Sequence, residues 1–357
     1  MTPAGRDGSA AAPFAATGAA DRQCTDERAA AVATPPLISV PNRVTRAVLL
    51  IIFATVCLTA APAQAKPRKP LVGFGEQSPA LFSDANWLTL KKNERRYVRY
   101  VMPWDALRYR RTRAPVDLWM QAAERRGARV LLAFGHSLRR HRQLKLPSRR
   151  AYRRQIRAVR VRYPFVKTFQ AWNEANHGFQ PTYRKPRAAG RLYDVLVRTC
   201  HGCVVTAPSV MLTGADTIRW IKRFNRAAKR RVRIWTVHNH IDANRNSTRR
   251  TRMFLRHTRG RVWFTEVGAI WNRWMPNRRG RGWHKVRRYN HRTAVRAIRN
   301  IFKLARLNRR RVKRVYVYNW FGRHERRPRW DSGVVAANGE LRRTFRTLRA
   351  QMRKYAR

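Results

Sequence analysis

The chain has 357 residues and carries 80 Lys and Arg against 18 Asp and Glu, a formal net charge of +62 at pH 7. The bases are mostly Arg and run along the whole chain instead of forming one stripe or tail, which argues against a specific nucleic-acid interface. The charge reads either as a generally Arg-rich surface or as an affinity for anionic matter such as an acidic glycan or a cell-wall polymer.

Residues 1–43 are rich in Ala, Pro, Gly and Thr and show no apolar periodicity, so they cannot bury a core and read as a disordered extension. A mis-called start, with translation beginning near Val44, is the alternative. Residues 44–65 then read as a signal peptide. Arg43 and Arg46 supply the basic flank, an apolar stretch follows from Ala47, and Ala63–Ala65 is a small-residue cleavage site. The stretch is about 15 residues, short of the roughly 18–20 needed to cross a bilayer, so a stable membrane span is not expected. The expectation is a secreted, extracellular protein; an uncleaved signal anchoring it to the membrane is the alternative.

Residues 66–357, about 290 in number, suit one large α/β domain better than two small ones. They keep only Cys200 and Cys203, since Cys24 and Cys57 lie in the first two segments. A close pair in an exported chain favours a small local disulfide. The order Cys-His-Gly-Cys is not a haem-attachment pattern, and no second pair is present to complete a zinc site.

Eight apolar runs recur along this region: Leu71–Gly75, Tyr97–Met102, Arg129–Gly135, Val166–Trp172, Cys203–Val210, Val232–Asn239, Arg261–Gly268 and Arg314–Trp320. They are too apolar for half-exposed strands and fit strands covered on both faces. Helical patterns separate them. "APVDLWMQAAERRG" has Pro115 near its start and Gly127 as a C-terminal cap. "DTIRWIKRFNRAAKRR" places Ile218, Ile221 and Phe224 on one face, and "NHRTAVRAIRNIFKLARL" does the same with Val295, Ile298, Ile301 and Leu304. A final helix is expected from Glu340 to about Tyr355, and a large loop from Ile270 to Tyr289. The alternation predicts an α/β fold, a single-domain (β/α)8 TIM barrel. A doubly wound open sheet lacks its glycine-rich phosphate fingerprint here.

In such a barrel the reactive groups sit at the C-terminal ends of the strands. Reading those positions alone collects Glu76, Arg99, Asp105, His136, Asn173 with Glu174, His238 with His240, Glu266, and Asn319 with Trp320. Glu174 and Glu266, at the ends of the fourth and seventh strands, face each other across the mouth. A pair of carboxyls so placed suits glycoside hydrolysis, one donating a proton to the leaving oxygen and the other attacking the anomeric carbon. Glu76 and Asp105 read as loop and rim structure, and Asp242 and Asn244 as residues that shape the loop after the sixth strand.

On these motifs the chain resembles the clan A glycoside hydrolases, the retaining (β/α)8 superfamily. "WNEANHG" matches the Asn-Glu pair ending strand four, "FTEVG" the Glu ending strand seven, "VRYVMPWD" the Arg of strand two and "YNW" the aromatic of strand eight. The match runs from about Leu71 to Leu348. It implies Glu174 as acid/base and Glu266 as nucleophile, with Arg99, Asn173 and Trp320 completing the substrate site; His136 and His238, from the strand-end reading, are expected either to bind substrate or to be satisfied rim residues. It implies a monomer acting on a carbohydrate, with no cofactor and no metal. Many members carry a Tyr at the end of strand six that touches the nucleophile. This chain has His238-Asn239-His240 there, which leaves open what orients Glu266. The rival reading is a non-catalytic glycan- or polyanion-binding barrel.

Overall fold

The computed structural model describes residues 69–277 and 282–356, so the expected extension and signal segment lie outside the described residues. Seven of the eight apolar runs become one strand each, and the fifth becomes two. In chain order these are β1 (Leu71–Gly75), β2 (Tyr97–Pro103), β3 (Arg129–Gly135), β4 (Thr168–Gln170), β5 (Val204–Thr206), β6 (Ser209–Met211), β7 (Ile234–His238) and β8 (Arg261–Val267). A small antiparallel hairpin follows, β9 (Trp274–Pro276) and β10 (Trp283–Lys285), inside the loop expected to be large. The last strand is β11 (Val312–Tyr318).

The longer helices between them are α1 (Arg110–Arg125), α2 (Arg149–Arg162), α3 (Pro186–Thr199), α4 (Ala215–Ala227), α5 (Arg249–His257), α6 (His291–Leu307) and α7 (Arg343–Ala356). The spacing of α1 shows why it forms. Val116, Trp119, Met120 and Ala123 are buried at helical intervals, and cutting Trp119 back to Ala would cost about 3–5 kcal/mol. Gly127, at φ +61, ends the helix: its N–H donates to Glu124 O at 2.8 Å and that of Ala128 to Ala123 O at 3.0 Å. Pro115 lies inside α1 rather than at its start. The last helix begins at Arg343 and not Glu340, because Glu340 O is engaged by the Ala336 N–H and Leu341 bridges Val335.

All nine strands outside the hairpin pair in parallel, in the order β5-β4-β3-β2-β1-β11-β8-β7-β6. The two end strands, β5 and β6, are consecutive in the chain, parted by Ala207 and Pro208. Pro208 has no N–H to contribute to a ladder. The run expected as one fifth strand is therefore broken in two, and the hydrogen-bonded sheet is open at that point. Single bonds still flank the break: Ala207 N–H to Ile234 O at 2.9 Å and Ser209 N–H to Trp172 O at 2.8 Å. The architecture is the (β/α)8 barrel expected from the alternation of elements.

The core has two parts. A large cluster lies between strands and helices. A small one, Tyr97, Leu131, Ile234, Trp263 and Tyr316, fills the barrel interior. The Arg314 guanidinium lies over its edge, 4.7 Å from the Tyr97 ring and 4.0 Å from that of Trp263. This plug makes the interior a packed core, not a pore, and leaves the C-terminal strand ends to polar groups. Cys200 and Cys203 form a disulfide at the end of α3, with Cα atoms 5.4 Å apart.

Candidate active site

Alternation along β2 sends Val98, Tyr100 and Met102 to the helix layer, and Tyr97 and Arg99 to the barrel interior. Arg99 is 1% exposed. A buried guanidinium needs partners, and three are present. Arg99 Nη1 donates to Glu266 Oε2 at 2.9 Å and Nη2 to Asn173 Oδ1 at 2.5 Å, with His238 Nε2 3.5 Å from Nη2. One side chain thus ties together the ends of β4, β7 and β8.

Glu266 reaches this position through an irregularity. On β8, Trp263 faces the interior, so regular alternation would turn Glu266 to the helices. The pairing with β7 slips by one residue, Val237 opposite Phe264 but His238 opposite Glu266. Such a bulge re-aims the following side chain, and here it turns Glu266 to the mouth. The extra residue, Thr265, is fully buried, and its Oγ1 is without a hydrogen-bond partner.

Glu174 is held by its backbone. It has φ +46, a left-handed conformation uncommon for a side chain of this kind. Its N–H donates to Ser209 Oγ at 2.8 Å, and the next N–H, of Ala175, donates to Ser209 O at 2.8 Å. Ser209 is fully buried on β6, directly after the break in the fifth strand. This clamp sets the direction of the Glu174 carboxyl.

The two histidines after β7 are distinguished by their hydrogen bonds. Arg99 can only donate, so His238 Nε2 accepts and the proton sits on Nδ1, which faces Glu174 Oε1 at 3.0 Å. His240 Nδ1 accepts from the Gly268 N–H at 2.9 Å. Its Nε2 therefore carries the proton, directed at Glu266 Oε1 at 3.6 Å. Glu266 is thus flanked on its two oxygens, by Arg99 at 2.9 Å and by His240 at 3.6 Å. Asn244 secures the arrangement, donating to His240 O and Gly268 O and accepting from the Ile270 N–H, each at 2.8 Å. Gly268 is required for this closeness: a Cβ there would lie 2.5 Å from Tyr318 O.

Burial pushes the Glu266 carboxyl up, but His238, the His240 N–H and the Arg99 guanidinium outweigh it, so the group sits below the usual carboxylate range. Burial drives His238 well below its ordinary value, with Arg99 adding to the effect and Glu266 opposing it. The ring is neutral, and the holding of Glu266 as a carboxylate falls chiefly to Arg99 and His240.

His136 is partly exposed, and its Nδ1 meets Gln180 Nε2 at 3.0 Å. Gln180 Oε1 in turn accepts from Trp172 Nε1 at 2.9 Å, so His136 stands on the loop that carries Glu174. Glu76 and Asp105 are buried and occupied. Glu76 accepts the N–H groups of Gln77, Ser78, Trp320 and Phe321, and Asp105 Oδ2 the Ser137 hydroxyl. Asp242 accepts the N–H and hydroxyl of Thr251, both at 2.7 Å, and fixes the loop after β7.

Trp320 departs from its expected place as a platform for substrate. It is fully buried in the outer layer, edge-on to Phe74, Trp87 and Phe345. Glu76 Oε2 grips the N–H groups of both Trp320 and Phe321 at 3.1 Å, and this turn carries the indole off the barrel mouth. The aromatic residue near the carboxyls is Tyr318, half-buried at the end of β11. Burial first, then Glu266, Glu76 and Glu174, push its phenol up. Ser209, His240, Tyr318 and Gln180 are thus site residues absent from the motif-based set. Two of these left a signal: His240 as the third member of His238-Asn239-His240, and Tyr318 as the first of "YNW", where Trp320 was taken as the aromatic instead.

His238, His240 and Glu266 each present a ligand atom, all within 4.8 Å of one another. They do not suit a metal ion. The Arg99 guanidinium already occupies Glu266 Oε2 and faces His238, so a second cation would lie against the first.

The chain therefore has a polar cluster with two opposed carboxyls at the C-terminal mouth of a (β/α)8 barrel. No protein-family model matches it, and no curated protein does. Solved structures do. Xylanase B from Clostridium stercorarium F9 is 12% identical, with a TM-score of 0.54 over 78% of this chain and 96% of that one. A psychrophilic glycoside hydrolase family 10 endo-β-1,4-xylanase is 10% identical, with a TM-score of 0.56 over 78% and 96%. A β-glucosidase, 1317, is 14% identical, with a TM-score of 0.52 over 77% and 87%. At these identities the likeness is one of fold: the chain shares its (β/α)8 barrel with these glycosidases.

Proposed function

We propose that the protein is a retaining O-glycoside hydrolase. The observation that carries this reading is the position of His238 Nδ1, 3.0 Å from Glu174 Oε1 and 3.8 Å from Glu266 Oε2. The two carboxylate oxygens are then no further apart than the sum of those distances, 6.8 Å. That limit admits the spacing of about 5–5.5 Å used in retention and excludes most of the roughly 6.5–9.5 Å range that leaves room for a water in inversion.

The roles follow from the surroundings. Glu266, kept ionised by Arg99 and His240, attacks the anomeric carbon and forms a glycosyl-enzyme. Glu174, across the mouth from Glu266, gives its proton to the leaving oxygen and then takes one from the water that releases the sugar. Asn173 is held through Oδ1 by Arg99, which leaves its N–H groups for a substrate hydroxyl. Tyr318 and His136 line the same mouth. The fold likeness to xylanases and a β-glucosidase supports the class of reaction, and we extend it to export into an extracellular setting on the strength of residues 44–65.

The test is the Glu266→Ala variant on an aryl glycoside, followed by NMR of the anomeric product. Turnover should vanish, and added azide should restore part of it with inverted configuration. Full activity without azide would remove the assignment.

A further inference from the structure

The loop after Glu266 and the segment 321–331 after β11 together build a wall of indoles and guanidiniums beside the nucleophile. Its inner member is Trp330, whose ring stands edge-on to His240 at 4.7 Å between centroids, and His240 faces Glu266 at 3.6 Å. Trp330 turns its polar edge inward, Nε1 donating to Ser332 Oγ at 2.9 Å. The Arg273 guanidinium lies over the ring at 5.4 Å. Further out, Arg327 lies 5.4 Å from the Trp274 ring and Arg329 5.0 Å from that of Trp283. These two Trp share a face of the β9–β10 hairpin, because Trp283 pairs with Pro276 and Trp274 with Lys285.

The guanidiniums of the wall are not neutralised by a carboxylate partner among the described residues. Asp331 is spent on a two-pronged pair with Arg342, 2.8 Å on each side. Glu325 is exposed and forms no ion pair among the described residues. Arg273, Arg327 and Arg329 likewise pair with no carboxylate there. Arg273 Nε is buried without an acceptor. Indole faces suit the C–H faces of a sugar ring, and a guanidinium fork matches a planar or tetrahedral oxyanion. An unpaired fork stacked on an indole is already oriented, so little freedom is lost when an anion arrives.

We infer that this wall binds an anionic sugar unit, through a carboxylate or a sulfate, and that the substrate is an acidic glycan. The hydrolysis of that glycan rests on the glycosidase reading; its binding does not. The +62 net charge alone would attract any polyanion, but diffusely and within about 10 Å at 0.1 M salt. The wall adds a particular place, next to Glu266.

Binding is measured by titration calorimetry on the inactive Glu266→Ala background at 0.15 M salt. The probes are hexasaccharides bearing uronates, the same oligomers carboxyl-reduced, and the reduced oligomers carrying sulfate esters. The charged oligomers should bind about tenfold tighter than the reduced ones, and Arg273→Gln should remove most of that advantage. Arg153→Gln, an exposed Arg on α2, removes one charge elsewhere and should leave the advantage in place. Response of the uronate arm alone assigns the wall to carboxylates, and of the sulfate arm alone to sulfates. Equal losses in the two variants, or equal affinity for charged and reduced oligomers, would overturn the subsite. Should Arg273→Gln fail to fold, Arg273→Lys keeps the charge but loses the fork, and should show the same selective loss. Hydrolysis of the same panel by the intact protein is scored separately. Selective binding without hydrolysis would refute the glycosidase and leave the subsite; hydrolysis indifferent to Arg273 would do the reverse.

Discussion

The His238 imidazole donates from Nδ1 to Glu174 Oε1 over 3.0 Å while its other nitrogen faces the Arg99 guanidinium at 3.5 Å. A neutral ring is the one protonation state that satisfies both neighbours. An imidazolium would point a second N–H at a group that can only donate. The ring therefore couples the two halves of the site without adding a charge to it.

That coupling predicts a pH-dependent stability. Burial holds His238 well below its ordinary 6.5 in the folded chain. As pH falls through 6.5 the unfolded chain takes up this proton first, so stability is full above that value and declines below it, by up to about 1.4 kcal/mol per pH unit. Urea unfolding at pH 7, 6 and 5 should show a shallower decline in His238→Asn than in the parent. Parallel declines would mean that His238 titrates alike in both states.

Arg99→Gln should move the acid limb of kcat/KM to higher pH. Glu266 sits below the usual carboxylate range partly because Arg99 is beside it, and losing that cation favours the protonated acid. The readout is the position of the limb, which a merely less stable enzyme would not shift. An unmoved limb would assign the effect to His240 instead.

Ser209→Ala takes the acceptor from the part-buried Glu174 N–H, at a cost of about 1 kcal/mol. Because Glu174 holds φ +46, its carboxyl should lose its direction, and kcat should fall roughly tenfold or more with little change in KM. Ser209→Thr, which keeps the hydroxyl, should recover much of the loss. A kcat within twofold of the parent in Ser209→Ala would show that the clamp is dispensable.

Glu174→Ala separates the acid from the nucleophile. Substrates with good leaving groups need no proton and should keep much of their rate of glycosyl-enzyme formation, while unactivated glycosides should lose theirs by about 10²–10⁴-fold. Equal losses on both kinds of substrate would reassign the general acid.

The run lengths and period of the sequence carried the barrel, because strands covered on both faces must be apolar throughout and the helices between them must be amphipathic. They also carried the location of Glu174, Glu266 and Arg99, since a charged residue in or at the end of such a run has few other reasons to be there. What they did not carry is which side of the sheet a residue takes once the pleat is interrupted. Glu266 reaches the mouth only because β8 slips against β7, and Trp320 leaves it only because Glu76 grips the turn after β11. The Ser209 clamp depends on β6 lying beside the β4 loop after the break at Pro208. Each of these is set by pairing between segments far apart in the chain. Local periodicity, which counts residues along one strand, holds no record of the register with the next.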